Sequence, residues 1–354
     1  MQMHRLDMLI AKLPRYKIDG LLVVKPVNIF YLTSFDASNA WLVVTQKARV
    51  IITDFIYSEA ASNSLPGFGI YVSPRDFAKT LSSVVKKYRI KRLGFEGRFM
   101  SVAQYKRLSS NVKRCILVNT TDIVESLREI KDRKEIAALK KALNVTASTW
   151  TELKRHLVAG ISESSIAHLI KEMLVRNGSD GYAFEPIVAT QPSSSQPHYI
   201  PTAKKLVRNS ILLVDMGARL RYYNSDLTRM YRLGKISSKF AKLYSILCDA
   251  QRYAIDCIKP GIKTSDVDRA ARQYLTSKGV GKFFGHALGH GIGLETHEKP
   301  SLSHSSKGVL KEDMVFTVEP GIYMPGFGGL RVEDTVRVRK GGCEVLSDDI
   351  DKSI

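Results

Sequence analysis

Five side chains able to bind metal are spread over the second half of this 354-residue chain. Asp215 closes the run Ile211-Leu212-Leu213-Val214, whose unbroken apolar character predicts a strand buried on both faces. A carboxylate at the end of such a strand is costly unless it is paired or bound to a cation. Eleven residues on, Asp226 lies within Asn224-Ser225-Asp226-Leu227-Thr228-Arg229. A hairpin centred between Leu220 and Arg221 would set positions 215 and 226 directly opposite, with Cβ atoms about 5 Å apart. Two carboxylates that close repel unless a cation lies between them. The alternative is one aspartate bridged to Arg229 and the other at a turn.

A second acid pair follows. Glu319 ends the strand-like Met314-Val315-Phe316-Thr317-Val318, and Glu333 follows Gly329-Leu330-Arg331-Val332, with Pro325, Gly326, Gly328 and Gly329 marking a loop that returns the chain. Taken singly, Glu333 reads as a surface acid. Between the pairs lies His286-Ala287-Leu288-Gly289-His290-Gly291-Ile292-Gly293-Leu294-Glu295-Thr296-His297, which holds three of the eight histidines. Glycines on both sides of His290 let the backbone come close to whatever that residue faces. Four carboxylates and an imidazole suit a pair of hard or borderline divalent ions sharing bridging carboxylates and a hydroxide, with the ions about 3.5–4 Å apart. Oxygen-rich ligation favours Mn²⁺ or Co²⁺ over a thiolate zinc site, and hydrolysis is the natural reaction class.

The elements that must position these groups are readable from periodicity. Residues 1–125 alternate strand-like and helix-like stretches: Gly20–Val24, Trp41–Val44, Val50–Ile52 and Arg92–Phe95 as strands, with a helix between Phe77 and Tyr88. The charged run Arg128 to Glu135 marks a junction near residue 125, so the chain divides into an α/β domain over 1–125 and a catalytic domain over 126–354. The second part opens with helices over about 133–157 and from Ser162 to Arg176. Two more run over about 238–258, closed by Pro260-Gly261, and 265–277, opened by Ser265 and Asp266 as cap and first turn.

Composition bounds the rest. Hydrophobic residues at 44% and charged residues at 25% are ordinary globular values, and the length accommodates two domains. Cys115, Cys248, Cys257 and Cys343 form no CxxC pair, which excludes a disulfide framework and points to a reducing cytoplasm. No segment has secretory or membrane-spanning character, so no membrane partner is expected. The net charge of +20 is spread along the chain and comes with no nucleic-acid-binding module, so no specific nucleic-acid partner is expected either.

The motifs His286 to Gly293, Thr317 to Tyr323 and Arg331 to Asp334, with the order Asp, Asp, His, Glu, Glu, resemble the creatinase/aminopeptidase P/prolidase family of metallopeptidases. The resemblance spans the chain, including Phe30 to Phe35 of the smaller first domain. It implies an α+β fold: a pita-bread catalytic domain preceded by an α/β creatinase-type domain. It also implies that Asp215 and Asp226 bind one metal, that His290 and Glu319 bind a second, that Asp226 and Glu333 bridge, and that Glu319 assists proton transfer. His198, His286 and His297 match outer histidines that hold substrate and stabilise the oxyanion or leaving amine. Tyr323 and Arg331 match positions beside the bound peptide, the other reading of Arg331 being a partner that orients a ligand carboxylate. The implied activity is removal of an N-terminal residue preceding proline by a homodimer with two divalent ions per subunit, Mn²⁺ with Co²⁺ or Zn²⁺ as alternatives. A methionine aminopeptidase-like exopeptidase and a non-catalytic peptide- or nucleic-acid-binding protein are the competing readings. Two departures stand out: Met230 follows Thr228-Arg229 where the family often has Thr, which would alter a pocket wall, and Asp54-Phe55-Ile56-Tyr57 replaces Asp-x-Arg-Tyr.

Overall fold

A computed structural model describes residues 2–74 and 76–354, without the side chains of residues 2 and 3. The chain divides into two compact units, Met1–Arg128 and Glu129–Ile354.

The first unit is built on six strands, β1 (Gly20–Val23), β2 (Ala40–Thr45), β3 (Arg49–Thr53), β4 (Gly69–Val72), β5 (Arg92–Glu96) and β6 (Ile116–Thr120), in the order β4-β3-β2-β1-β5-β6. Pairs β1–β5, β5–β6 and β3–β4 are parallel, and β1–β2–β3 is an antiparallel meander. Helices α1 (Gln2–Lys12), α2 (Pro26–Thr33), α3 (Phe55–Ser64), α4 (Phe77–Lys87), α5 (Val102–Asn111) and the short α6 (Glu125–Arg128) complete it. Helix α4 forms where expected: Asp76 caps it, Lys86 and Lys87 oppose the dipole in its last turn, and Leu81, Val84 and Val85 meet Val50, Ile52 and Leu93 in one core. Asp54 caps α3 by accepting from the Tyr57 amide and also accepts from Asn39, so its role is local to this unit.

The second unit begins with α7 (Arg133–Leu153), whose charged start is a capping box between Asp132 and Glu135, and α8 (Glu163–Arg176), capped by Ser162. Strands β7 (Gly181–Tyr182), β8 (Ile187–Thr190), β9 (Ser210–Met216), β10 (Ala218–Leu220), β11 (Tyr223–Asn224) and β12 (Leu227–Leu233) follow, then α9 (Ser238–Asp256) and α10 (Thr264–Ser277). Ser265 lies inside α10 and does not cap it. The cap position is Lys263, which offers no side-chain acceptor, and the Thr264 hydroxyl instead bonds Ser306 and the Gly308 carbonyl, drawing the helix start back by one residue. The chain ends in β13 (Gly289–Gly291), β14 (Glu298–Leu302), β15 (Val315–Val318), β16 (Gly321–Met324), β17 (Gly328–Arg331), β18 (Asp334–Arg339) and β19 (Gly342–Val345). These strands form sheets β12-β9-β8, β11-β10-β7, β14-β13-β15-β18-β19 and the hairpin β16-β17.

All seven residues of β9 are buried, as its apolar run predicts. Ile211 and Leu213 pack into a core with α9 and α10, while Leu212, Val214 and Met216 face a second core with residues of α7 and α8. Each such side chain contributes about 1.5–3 kcal/mol of burial. The two-sided helical cover is what carries Asp215 out of water on the face of Ile211 and Leu213.

Candidate metal centre

Asp215 is directly opposite Thr228, not Asp226. The turn that joins β10 and β11 is Arg221-Tyr222, both left-handed at φ 49° and 72°, so the hairpin is centred one residue later than the spacing suggested. A two-residue turn of this kind matches strand twist, which is why the register settles there. Asp226 then falls diagonally from Asp215 on the same face, about 7–8 Å being the usual spacing of such neighbours. Gly217 is required at this point, because a Cβ there would lie 2.0 Å from the Ser225 carbonyl oxygen. Met230, on that face of β12, is buried in the apolar core and does not line the site cavity, so it does not alter the pocket wall.

The glutamates are paired by a second hairpin. Val318 pairs with Asp334 and Gly321 with Arg331, one register on both sides, so Glu319 and Glu333 fall opposite each other between the two ladders. His290 comes in on β13. A Cβ at Gly289 or Gly291 would lie 1.9 Å from the Thr317 carbonyl oxygen or 2.0 Å from that of Lys299, so the flanking glycines admit the neighbouring strands and not a ligand. His290 Nε2 lies 3.2 Å from Glu319 and 3.6 Å from Asp226. Ligand atoms of Asp226, His290 and Glu333 all lie within 4.8 Å of one another.

All of these groups are at least largely buried, and their charges are incompletely matched. Burial pushes the Asp226 carboxyl well above its ordinary 3.8, and Glu333 and Asp215 add to the rise. Glu333 is driven well above 4.5 by burial and by Glu319. Burial also raises Asp215, although Arg331 opposes it. Glu319 behaves differently: against burial, its hydrogen bond to His290 holds it below 4.5, and the same bond holds His290 above 6.5. Oδ1 of Asp215 and Oε1 of Glu333 are buried without a hydrogen-bond partner. Unpaired acceptor oxygens, clustered carboxylates and one imidazole are a hard donor set that fits divalent cations.

The structure brings every candidate residue except Tyr323, which does not line the cavity, to this place. A cavity of about 880 Å³ is lined by Asp215, Asp226, His290, Glu319 and Glu333, by His198, His286 and His297, and by Arg331. Burial keeps His286 and His297 below their ordinary 6.5, and His286 Nε2 is without a partner. Arg331 is turned onto the protein: it bonds Asp215, the Tyr323 hydroxyl at 3.0 Å, Thr228 Oγ1 at 2.9 Å and the Pro197 carbonyl at 3.3 Å. Tyr323 stands behind the wall as its partner. The sequence reading passed over Thr228, which donates to Glu333 at 2.8 Å, and Thr317, which donates to Glu319 and accepts from the His290 amide. Their signal was period two, each lying two positions from an acid on the same face.

Residues 137–340 match metallopeptidase family M24, and residues 5–130 match the creatinase/prolidase N-terminal domain. The chain is 32% identical to an Xaa-Pro dipeptidase of Pyrococcus furiosus over 97% of both proteins. Among solved structures it resembles an Xaa-Pro dipeptidase from Bacillus anthracis, with a TM-score of 0.96 at 32% identity over 100% of this chain and 99% of the other. An X-Pro aminopeptidase from Thermotoga maritima gives 0.90 at 32% identity over 99% of each. A pita-bread unit that gathers hard ligands, behind a creatinase-type N-terminal domain, makes this chain a metallopeptidase of family M24.

Proposed function

We propose that this enzyme hydrolyses the bond between an N-terminal residue and a following proline. The observation that carries the reading is the convergence of five side chains able to bind metal, two with unsatisfied buried oxygens, on one cavity that three histidines also line. The names of the similar dipeptidases and aminopeptidase supply the substrate class. Asp215 and Asp226 would hold one divalent cation and His290 and Glu319 another, with Asp226 and Glu333 shared. When bound, such a pair supplies Lewis acidity and water ionised near neutral pH. Oxygen-rich ligation selects Mn²⁺, with Co²⁺ or Zn²⁺ as substitutes.

The chain's own groups do the rest. Glu319, held as a carboxylate beside His290, accepts a proton at Oε1 and passes it to the leaving proline nitrogen. His198, His286 and His297 line the route of the peptide, and the unpartnered Nε2 of His286, left as an acceptor because Nδ1 donates to the Ala287 carbonyl, is available to an N–H of the substrate or of the leaving amine. Arg331, bonded to Asp215, Thr228, Tyr323 and Pro197, orients a ligand carboxylate. The four free thiols suit a reducing cytoplasm, and no helix among the described residues is long and apolar enough to cross a membrane. A homodimer is part of this reading, to be checked by light scattering after gel filtration.

Protein stripped with chelator should be inactive on Ala-Pro and Ala-Pro-Xaa and regain activity with Mn²⁺. Cleavage of Met-Ala peptides with none of Ala-Pro would replace the substrate assignment by a methionine aminopeptidase-like one.

A further inference from the structure

Glu163 is a fully buried acid, 0% exposed, that takes no part in the metal cluster and does not line the cavity. It is not spent on capping either, because the Ser162 hydroxyl already accepts from the Ser165 amide at the start of α8. Its carboxylate is turned onto another segment. Oε1 accepts from the Thr190 amide at 2.8 Å and hydroxyl at 2.6 Å; Oε2 accepts from the Tyr199 hydroxyl at 2.9 Å and from the Thr202 amide and hydroxyl at 3.2 and 3.0 Å. Thr190 is the last residue of β8, and Thr202 lies just past the stretch Pro197–Pro201 that lines the cavity. One carboxylate therefore ties together both feet of the loop that carries His198.

His198 and Ile200 are exposed, Ile200 at 80%, so apolar burial does not hold these two side chains. Tyr199 between them packs on the apolar core, and Lys204 Nζ donates to the Gln191 carbonyl and the Ser193 hydroxyl, so the loop has a second tie beside the Glu163 carboxylate. The Glu163 and Ser164 amides bond the Lys204 and Thr202 carbonyls, which brings the second foot to α8, and Arg331 reaches the Pro197 carbonyl. We propose that Glu163 is a positioning residue that sets His198 over the metal cluster by clamping the two ends of its loop. The inference rests on the reading of His198 as a substrate-contacting group.

Glutamine cannot replace this clamp. Each carboxylate oxygen accepts from a backbone N–H, which can only donate, so either orientation of an amide turns its NH₂ against one of the two N–H groups. In Glu163→Gln, kcat/KM on Ala-Pro should fall about ten- to a hundredfold, the usual effect of misplacing a group that meets substrate, with metal content unchanged. In the His198→Ala background, Glu163→Gln should cost less than about a further twofold, because residues acting as a unit are not additive. Independent of activity, hydrogen exchange at the His198, Tyr199, Ile200 and Thr202 amides should quicken, while the far turns of α8, Ile170–Arg176, stay as in the wild type. Losses that multiply across the double variant, exchange unchanged at the loop, or loosening of all of α8 would each overturn the clamp. Should Glu163→Gln fail to fold, Thr202→Val removes one donor and should reproduce the local exchange change on a smaller scale; exchange as in the wild type would overturn the clamp. If the wild type cleaves no Xaa-Pro peptide with any metal, the proposed function fails, and the exchange measurement still judges the clamp.

Discussion

Glu333 and Asp334 are neighbours in sequence and equally buried, at 1% and 0% exposure, yet the protein treats them in opposite ways. Asp334 points behind the metal-ligand strands, where Arg229 meets it at 2.9 Å, Lys352 pairs with it and the Ser347 hydroxyl donates at 2.8 Å. Glu333 points forward, with one oxygen accepting from Thr228 and the other without a partner. Alternation along an extended strand is enough to separate them. The back acid is neutralised by the fold; the front one is not, which is what the proposed role of Glu333 as a metal ligand requires. Burial of these acids is tolerated in the metal-free protein by retained protons, and bound metal would repay the desolvation in their place.

The largest effect expected from breaking this arrangement is on turnover. Asp226→Ala removes a carboxylate that lies 3.6 Å from His290 and within 4.8 Å of a Glu333 oxygen, and should lower kcat/KM on Ala-Pro at least about a thousandfold, with elemental analysis showing lost metal, since such ions supply several kcal/mol of transition-state stabilisation. The metal-free variant should melt higher than metal-free wild type, because a repelled acid is gone. A metal-replete, active Asp226→Ala would refute the ligand assignment.

Asp334→Asn tests the other side. It removes the buried counter-charge of Arg229, whose other bonds are to backbone carbonyls, and should cost about 3–5 kcal/mol in chemical unfolding, in the metal-free protein as in the loaded one. A variant as stable as wild type would mean that the back acid is not the neutralised partner described above.

How much of this contrast was readable beforehand can be traced residue by residue. The two-sided burial of β9, the loop between Glu319 and Glu333 and the placing of Asp215, Asp226 and His290 on one cavity followed from apolar runs, glycines and residue types. The register of Asp215 did not, because a turn at Arg221-Tyr222 needs two non-glycine residues in left-handed backbone, which composition alone does not announce. Nor did the glycines beside His290 reveal whether they admit a ligand or a strand, since close approach of either makes the same demand on Cβ. The Arg229–Asp334 pair and the Glu163 clamp join residues more than twenty-five positions apart through side chains, beyond what local periodicity reports.

Stability against pH probes the front acids next. Asp226 and Glu333 have folded values raised above 3.8 and 4.5, so the folded, metal-free protein keeps protons that the unfolded chain releases. Stability should therefore fall as pH rises from those ordinary values towards the raised ones, the sign opposite to that of a salt-bridged carboxylate. His290, raised above 6.5 by Glu319, adds a loss in the same direction above that pH. Added Mn²⁺ displaces the protons, so its stabilising effect in thermal melts should grow with pH. A metal effect independent of pH between 5 and 8 would show that the front acids are already ionised.

The smallest expected effect belongs to Arg331, which links the wall to the substrate side. Lysine keeps the charge but cannot reach Asp215, Thr228, Tyr323 and Pro197 at once, because its ammonium is a point and the guanidinium a fork. Partners that orient a metal ligand are typically worth about 10–100-fold in affinity or rate. Arg331→Lys should therefore weaken Mn²⁺ binding and lower kcat by about that factor while leaving KM for Ala-Pro near the wild-type value. A rise in KM at unchanged metal affinity would instead make Arg331 a substrate contact, and the unfilled charge of the front wall would then be matched by the peptide.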